Sequence, residues 1–227
     1  MKKKLFIFGI SDFALSAMQY FLERTEWDIK GFVVDAEYKD KEVFCNCPVY
    51  DLDECEKVFP PDEYACFVAA GYRGMNQVRK EKIKYFKSRG YLLPSYIDPS
   101  CQRFSNVSIG DNCFIMENVV LQPGVVVEDG VYMGSGVCIG HDTVIKQCAF
   151  IAIGAMIAGF VTIGGNSFIG ANATVNNGLT IAEYTLLGAG AYVTKGTTQY
   201  GVYLAEHSKN VLKKVGNSEQ LQNGFLK

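Results

Sequence analysis

The 227-residue chain carries 22 basic against 24 acidic side chains, and 48% of it is hydrophobic. A net charge of −2 argues against a nucleic-acid partner, and the apolar fraction suffices for a substantial core in one or two globular domains. No stretch is apolar for long enough to cross a membrane, and Met1-Lys2-Lys3-Lys4 opens no signal sequence, so a cytoplasmic protein without membrane insertion is expected.

Residues 4–9 read as a buried strand, and Ile10-Ser11-Asp12-Phe13 leads into an apolar-periodic helix that runs to about Arg24. A second strand, Gly31-Phe32-Val33-Val34, ends in Asp35. Strand, glycine turn, helix, strand and acidic residue is the order of a nucleotide-binding βαβ unit, although the G-x-G-x-x-G motif is missing. Ser11 or Asp12 is either a helix N-cap or a ligand contact. Eight cysteines include one Cys-x-Cys, Cys45 and Cys47, with no second pair to complete a zinc site, so most of them read as small core residues and no metal is expected. A third strand, residues 65–70, ends at Gly71, and a basic helix follows from about Met75 to Arg89. Tyr91-Leu92-Leu93 and Tyr96-Ile97 could add short strands. Residues 1–97 thus form a small α/β domain with a Rossmann-like parallel sheet, with room for one nucleotide at its strand ends.

From Ile109 every sixth residue is aliphatic or Met, through Ile115, Leu121, Val127 and onward to Val193. A period of six suits neither a helix nor a simple alternating strand. It suits a coil of short strands with a corner every six residues, eighteen residues completing a three-sided turn. Two residues before each aliphatic position the side chain is mostly small or β-branched, as at Cys113, Val119, Thr143 and Ser167. Glycine often follows the aliphatic residue, as at Gly110, Gly134, Gly140 and Gly164, where a corner is expected to need unusual dihedrals. Residues 98–205 should form this prism, and residues 206–227 a polar tail with a short helix.

A repeat of this kind resembles the left-handed parallel β-helix of hexapeptide-repeat acyltransferases, and the left hand is implied by the resemblance alone, since crossovers in general favour the right hand. The family's flat faces associate, which implies a homotrimer. The order of a small α/β domain and an uninterrupted prism further resembles the bacterial nucleotide-sugar acetyltransferases that modify aminodideoxy sugars for surface glycans. Its specific part is Gly140-His141-Asp142, where that family has Gly-His followed by Asp or Glu. The resemblance implies acetyl-CoA as co-substrate and His141 as general base, with Asp142 raising its basicity. It implies an acceptor amine on a nucleotide-linked sugar, a 4-amino-4,6-dideoxyhexose, in O-antigen or lipopolysaccharide biosynthesis. The small domain would hold the nucleotide through Ser11, Asp12, Phe13, Asp35 and the strand end at Gly71.

The residues themselves point the same way. His141 is one of two histidines, the other being His207 in the tail. It falls two places after Ile139, at a corner, where its ring should face outward and need not serve packing; a solvated surface residue is the alternative. An imidazole with an ordinary pKa of about 6.5 can accept a proton from an attacking amine or hydroxyl. Steps of eighteen stack Gly159 and Asn177 beneath His141, and another corner stacks Ile153, Ala171 and Ala189. Such columns either leave a groove whose backbone amides bind pantetheine, with a Gly159 N–H for the oxyanion, or merely relieve crowding. The chain departs from the family at Phe150, where a second histidine often contacts acetyl-CoA, and at Gly134, where Asn is common. O-acetylation of a sugar hydroxyl and a non-catalytic assembly module are the alternatives; a carbonic anhydrase would need three histidine ligands, and the repeat has one.

Overall fold

The computed structural model describes residues 3–206, so the expected tail helix and His207 lie outside the described residues. The first domain is built on β1 (Lys3–Phe8), α1 (Asp12–Arg24), β2 (Trp27–Val34), β3 (Val43–Phe44), β4 (Cys47–Asp51), α2 (Cys55–Val58), β5 (Tyr64–Val68) and α3 (Gln77–Ser88). The sheet runs β3-β4-β2-β1-β5, parallel except for the β3–β4 hairpin. Leu5, Phe6 and Ile7 are fully buried because helices cover both faces of the central strand. On one face α1 contributes Ala14, Ala17 and Phe21, and on the other α3 contributes Ile83 and Phe86. The hairpin was not foreseen; its turn uses Cys45 at φ 50° and Asn46 at φ 61°, and a cysteine is not a turn signal. Tyr91-Leu92-Leu93 forms no strand, although Leu92 accepts a backbone hydrogen bond from Cys66 at 2.9 Å.

Two-residue strands then follow at every sixth position and pair with the strand eighteen residues on. They form three parallel sheets, the faces of a triangular prism. A first face runs from Tyr96–Ile97 to Val202–Tyr203, a second from Gln102–Arg103 to Tyr192–Val193, and a third from Ser108–Ile109 to Thr180–Ile181. Tyr96–Ile97, expected in the small domain, pairs with Phe114–Ile115 and opens the prism instead. The aliphatic positions fill the axis, and Thr143 and Ser167 enter it by donating their hydroxyls to Ala158 O and Ala182 O of the next coil, at 3.0 and 2.9 Å.

The corners correct one expectation. Glycines directly after the aliphatic residue do not have positive φ; a Cβ on Gly134 would lie 2.6 Å from Ile153 N of the next coil, and one on Gly140 would strike Gly159 N and Ala158 C. They are there because successive backbones touch. The left-handed dihedral falls two residues later, at Asn112, Asn118, Gly124, Gly130, Gly136, Asp142 and every sixth residue to Gly190.

The small domain sits on the first face. Phe114 and Tyr96 join the cluster of Leu5, Ile7, Phe21 and Phe67, and Asn112 brackets Val68 at the end of β5, accepting its N–H at 2.7 Å and donating to its C=O at 3.1 Å. Asp98, 1% exposed, accepts from Tyr96 Oη at 2.7 Å and from Ser100 N and Oγ at 2.9 and 2.6 Å, with Arg24 at 3.4 Å. Burial opposes its ionisation, but these hydrogen bonds hold the carboxyl below its ordinary value.

Candidate active site at a prism corner

His141 lies at the corner between the second and third faces, after the strand Cys138–Ile139 and before Val144–Ile145. Its backbone is fixed on both sides: the His141 N–H donates to Gln122 Oε1 at 3.0 Å, and its carbonyl accepts from Phe160 N at 2.9 Å. The imidazole Nδ1 lies 3.1 Å from Asp142 Oδ2, and the side chains are about half exposed, 49% and 56%. A carboxylate can only accept, so Nδ1 carries the proton and Nε2 presents its lone pair.

Glycines flank this pair in both adjacent coils. A Cβ on Gly124 would collide with Asp142 Oδ1, and one on Gly159 would lie 2.8 Å from His141 Nε2 and 3.0 Å from two ring carbons. The imidazole therefore lies against Gly159. Phe160 meets the ring edge-to-face, centroids 4.7 Å apart at 85°. Within the column the peptide N–H groups differ. Pro123 has none, those of His141 and Asn177 go to Gln122 Oε1 and Asn176 Oδ1, and that of Gly159 has no acceptor among the described residues. A lone pair and an unpartnered N–H on successive coils can take a proton at one point and stabilise an oxyanion at another.

Across the second face, the peptide N–H groups of Ile153, Ala171 and Ala189 likewise have no acceptor among the described residues. Ile153, Met156, Phe160 and Tyr192 are exposed along this side, leaving an apolar surface edged by free amides. Phe150 is elsewhere. It stands on the first face in an aromatic ladder, 4.2 Å from Tyr132 and 5.0 Å from Phe168, with Tyr72 against it, so it braces the domain junction and is not beside His141 in the same chain.

In the small domain, Gly71 lies just beyond β5, and Asp35 follows β2, so both occupy the carboxyl edge of the sheet with Ser11 and Asp12. Ser11 is the N-cap of α1, its Oγ accepting from Ala14 N at 3.4 Å, and Asp12 is exposed in the first turn. Phe13 turns inward, packing its ring against Phe67, Phe114 and Tyr132, a core anchor and not an open contact surface. Asp35 is ion-paired with Lys82 of α3, whose ammonium also lies 5.0 Å from the Phe8 ring. Sequence reading missed Lys82, Gln122, Gly124 and Phe160. The stacking arithmetic that gave Gly159 would have found Gly124, one residue beyond the position a coil before His141; nothing in the chain order pairs Lys82 with Asp35.

Residues 106–141 and 142–177 match the bacterial transferase hexapeptide model (six repeats), and residues 160–195 match the hexapeptide repeat of succinyl-transferase. Among solved structures, the chain is similar to the acetyltransferase domain of PglB from Neisseria gonorrhoeae FA1090, with TM-score 0.79 and 22% identity over 89% of this chain and 97% of that one. It is also similar to PerB from Caulobacter crescentus in complex with CoA and GDP-perosamine (TM-score 0.76, 21% identity, 89% and 94% covered). A third similar structure is WeeI from Acinetobacter baumannii AYE (0.73, 21%, 88% and 96%). The shared fold is a small α/β domain followed by a left-handed parallel β-helix.

Proposed function

We propose that the protein is an acetyl-CoA-dependent N-acetyltransferase acting on the amine of a nucleotide-linked aminodideoxy sugar, a 4-amino-4,6-dideoxyhexose, in the making of a bacterial surface glycan. The observation that carries this reading is the corner at His141, where Asp142 holds Nδ1 and, among the described residues, neither Nε2 nor the Gly159 N–H has a hydrogen-bond partner. Acetyl-CoA supplies the thioester acetyl group. The second face fits its pantetheine arm, with the amides of Ile153, Ala171 and Ala189 at one edge and that of Gly159 at the other, where the Asn177 N–H is already donated to Asn176 Oδ1. His141 Nε2 takes the proton from the attacking amine as the C–N bond forms, Gly159 N–H stabilises the oxyanion, and the C–S bond breaks to release CoA, whose thiolate recovers the proton from the imidazole.

A homotrimer is part of this reading, as the resemblance to the hexapeptide-repeat acyltransferases implies. His141 stands on the corner opposite the first face, which the small domain covers. A nucleotide held near Asp35, Gly71 and Lys82 of one chain would thus present its sugar to the His141 of another. Lys82 is a cation at that edge that could meet a diphosphate, in exchange for its pairing with Asp35.

The test is release of free CoA thiol from acetyl-CoA across a panel of nucleotide-linked aminodideoxy sugars and their hydroxyl counterparts, with His141→Ala as control. Turnover of an amino sugar that disappears in the variant is expected. Turnover of hydroxyl sugars alone would move the assignment to O-acetylation, and absence of both turnover and acetyl-CoA binding in a folded oligomer would leave an assembly module.

A further inference from the structure

Fourteen corner residues between Asn112 and Gly190, one in every six, adopt the left-handed φ that disfavours a β-carbon. Six are glycine and four asparagine, the residues that tolerate it; the exceptions are Asp142, Cys148, Phe160 and Tyr184. Two of these are explained by the small domain. Cys148 is buried with Ile83 and Phe86 and its carbonyl accepts from Arg79 Nη2 at 3.1 Å, while Tyr184 donates to Gln77 Oε1 at 3.0 Å. The other two are both at the His141 corner and both touch its imidazole, Asp142 through Nδ1 and Phe160 through a ring edge. Phe160 is 60% exposed and makes no other aromatic contact among the described residues, so burial does not account for it. A phenylalanine kept in a conformation that glycine prefers, exposed to solvent, and set perpendicular to a half-exposed imidazole has one evident task.

We infer that Phe160 is a positioning residue for His141, which with Asp142 and Gly159 confines the imidazole to the orientation that keeps Nε2 beside Gly159. Asp142 alone fixes one ring nitrogen but leaves the ring free to swing about that hydrogen bond. Gly159 supports one side of the ring, and Phe160 supplies the lateral wall that blocks the swing. This inference rests on the acetyltransferase reading for its catalytic consequence, and on the corner geometry alone for the confinement.

The experiment replaces Phe160 by Gly and by Asn, side chains this backbone conformation already holds elsewhere in the prism, and by Tyr, which retains the ring edge. In the Gly and Asn variants kcat should fall about tenfold, KM for both substrates should stay within about twofold, and the melting temperature should hold or rise. The Tyr variant should restore kcat. In parallel, imidazole NMR of His141, recorded in a His207→Asn background, should show nuclear Overhauser contacts between the ring and Gly159 that the Gly and Asn variants weaken and the Tyr variant keeps. Unchanged kcat and unchanged contacts between the imidazole and Gly159 in both variants would overturn the inference, as would a loss confined to KM. If the sugar panel yields no turnover at all, the imidazole signals still decide the confinement, so failure of the enzymatic reading is read separately.

Discussion

The corner at His141 and the carboxyl edge of the small domain treat their polar groups in opposite ways. At the edge nearly everything is already engaged: Ser11 caps α1, Asp35 pairs with Lys82, and Phe13 is packed into the domain junction. At the corner, hydrogen bonds restrain the backbone and Nδ1, and the two groups left over are a lone pair and an N–H on adjacent coils. A rigid repeat presents reactive groups without reorganisation, whereas a ligand at the sheet edge has to displace an existing ion pair. The corner is thus suited to chemistry and the edge to selective holding.

This contrast is sharpest at His141 itself. His141→Ala should lower kcat about 10²–10⁴-fold with KM and melting temperature nearly unchanged, because the half-exposed ring packs only against Gly159 and Phe160 at the surface. Steady-state kinetics beside a thermal melt checks this, and retained activity would break the contrast. Two glycines in adjacent coils then separate function from fold. In Gly159→Ala the new methyl displaces the imidazole, an exposed side chain that can move away, so kcat should fall roughly a hundredfold with little change in stability. In Gly140→Ala the methyl meets backbone on the next coil, which cannot yield, so unfolding in denaturant should show a loss of about 1–3 kcal/mol or more.

The domain junction should respond to acid. Asp98 has its carboxyl held below the ordinary value of 3.8 by Ser100 and Tyr96 against the opposing effect of burial. A carboxyl depressed in the folded state adds stability that is fully present above its unfolded pKa and is lost as pH falls below about 4 toward the folded one. Asp98→Asn should cost about 2–3 kcal/mol at pH 7 and flatten the acid side of the stability curve, as measured by thermal unfolding from pH 7 to pH 3. Most of that loss belongs to the buried hydrogen bonds, because the Arg24 side chain is 46% exposed and its pairing is screened.

The smallest effect is expected at the sheet edge. Lys82→Met removes a charge-assisted contact to phosphate but also an ion pair that competes with it, so KM for the nucleotide sugar should rise only about fivefold while kcat holds. A fall in kcat instead would mean that the edge takes part in chemistry, and the division of labour between the two regions would fail.

Much of the corner could be read from the chain because a repeat is local. Once six fixes the strand spacing and eighteen the coil, Gly159 must lie under His141, and the Ile153, Ala171 and Ala189 column follows by the same addition. The hand could not be read in this way, since periodicity is the same for either. Nor could the work of Gly134 and Gly140, which depends on how closely successive backbones approach and not on their own dihedrals. What the sequence by itself determined was the prism, its phase, and the histidine and carboxylate at one of its corners. Only the tertiary structure decided that the small domain covers the first face, that Phe13 and Phe150 are bracing residues, that Asp35 is held by Lys82, and that Phe160 stands against His141. Periodic order follows from neighbours along the chain, whereas these contacts join side chains through space, and their partners are chosen by packing that no spacing encodes.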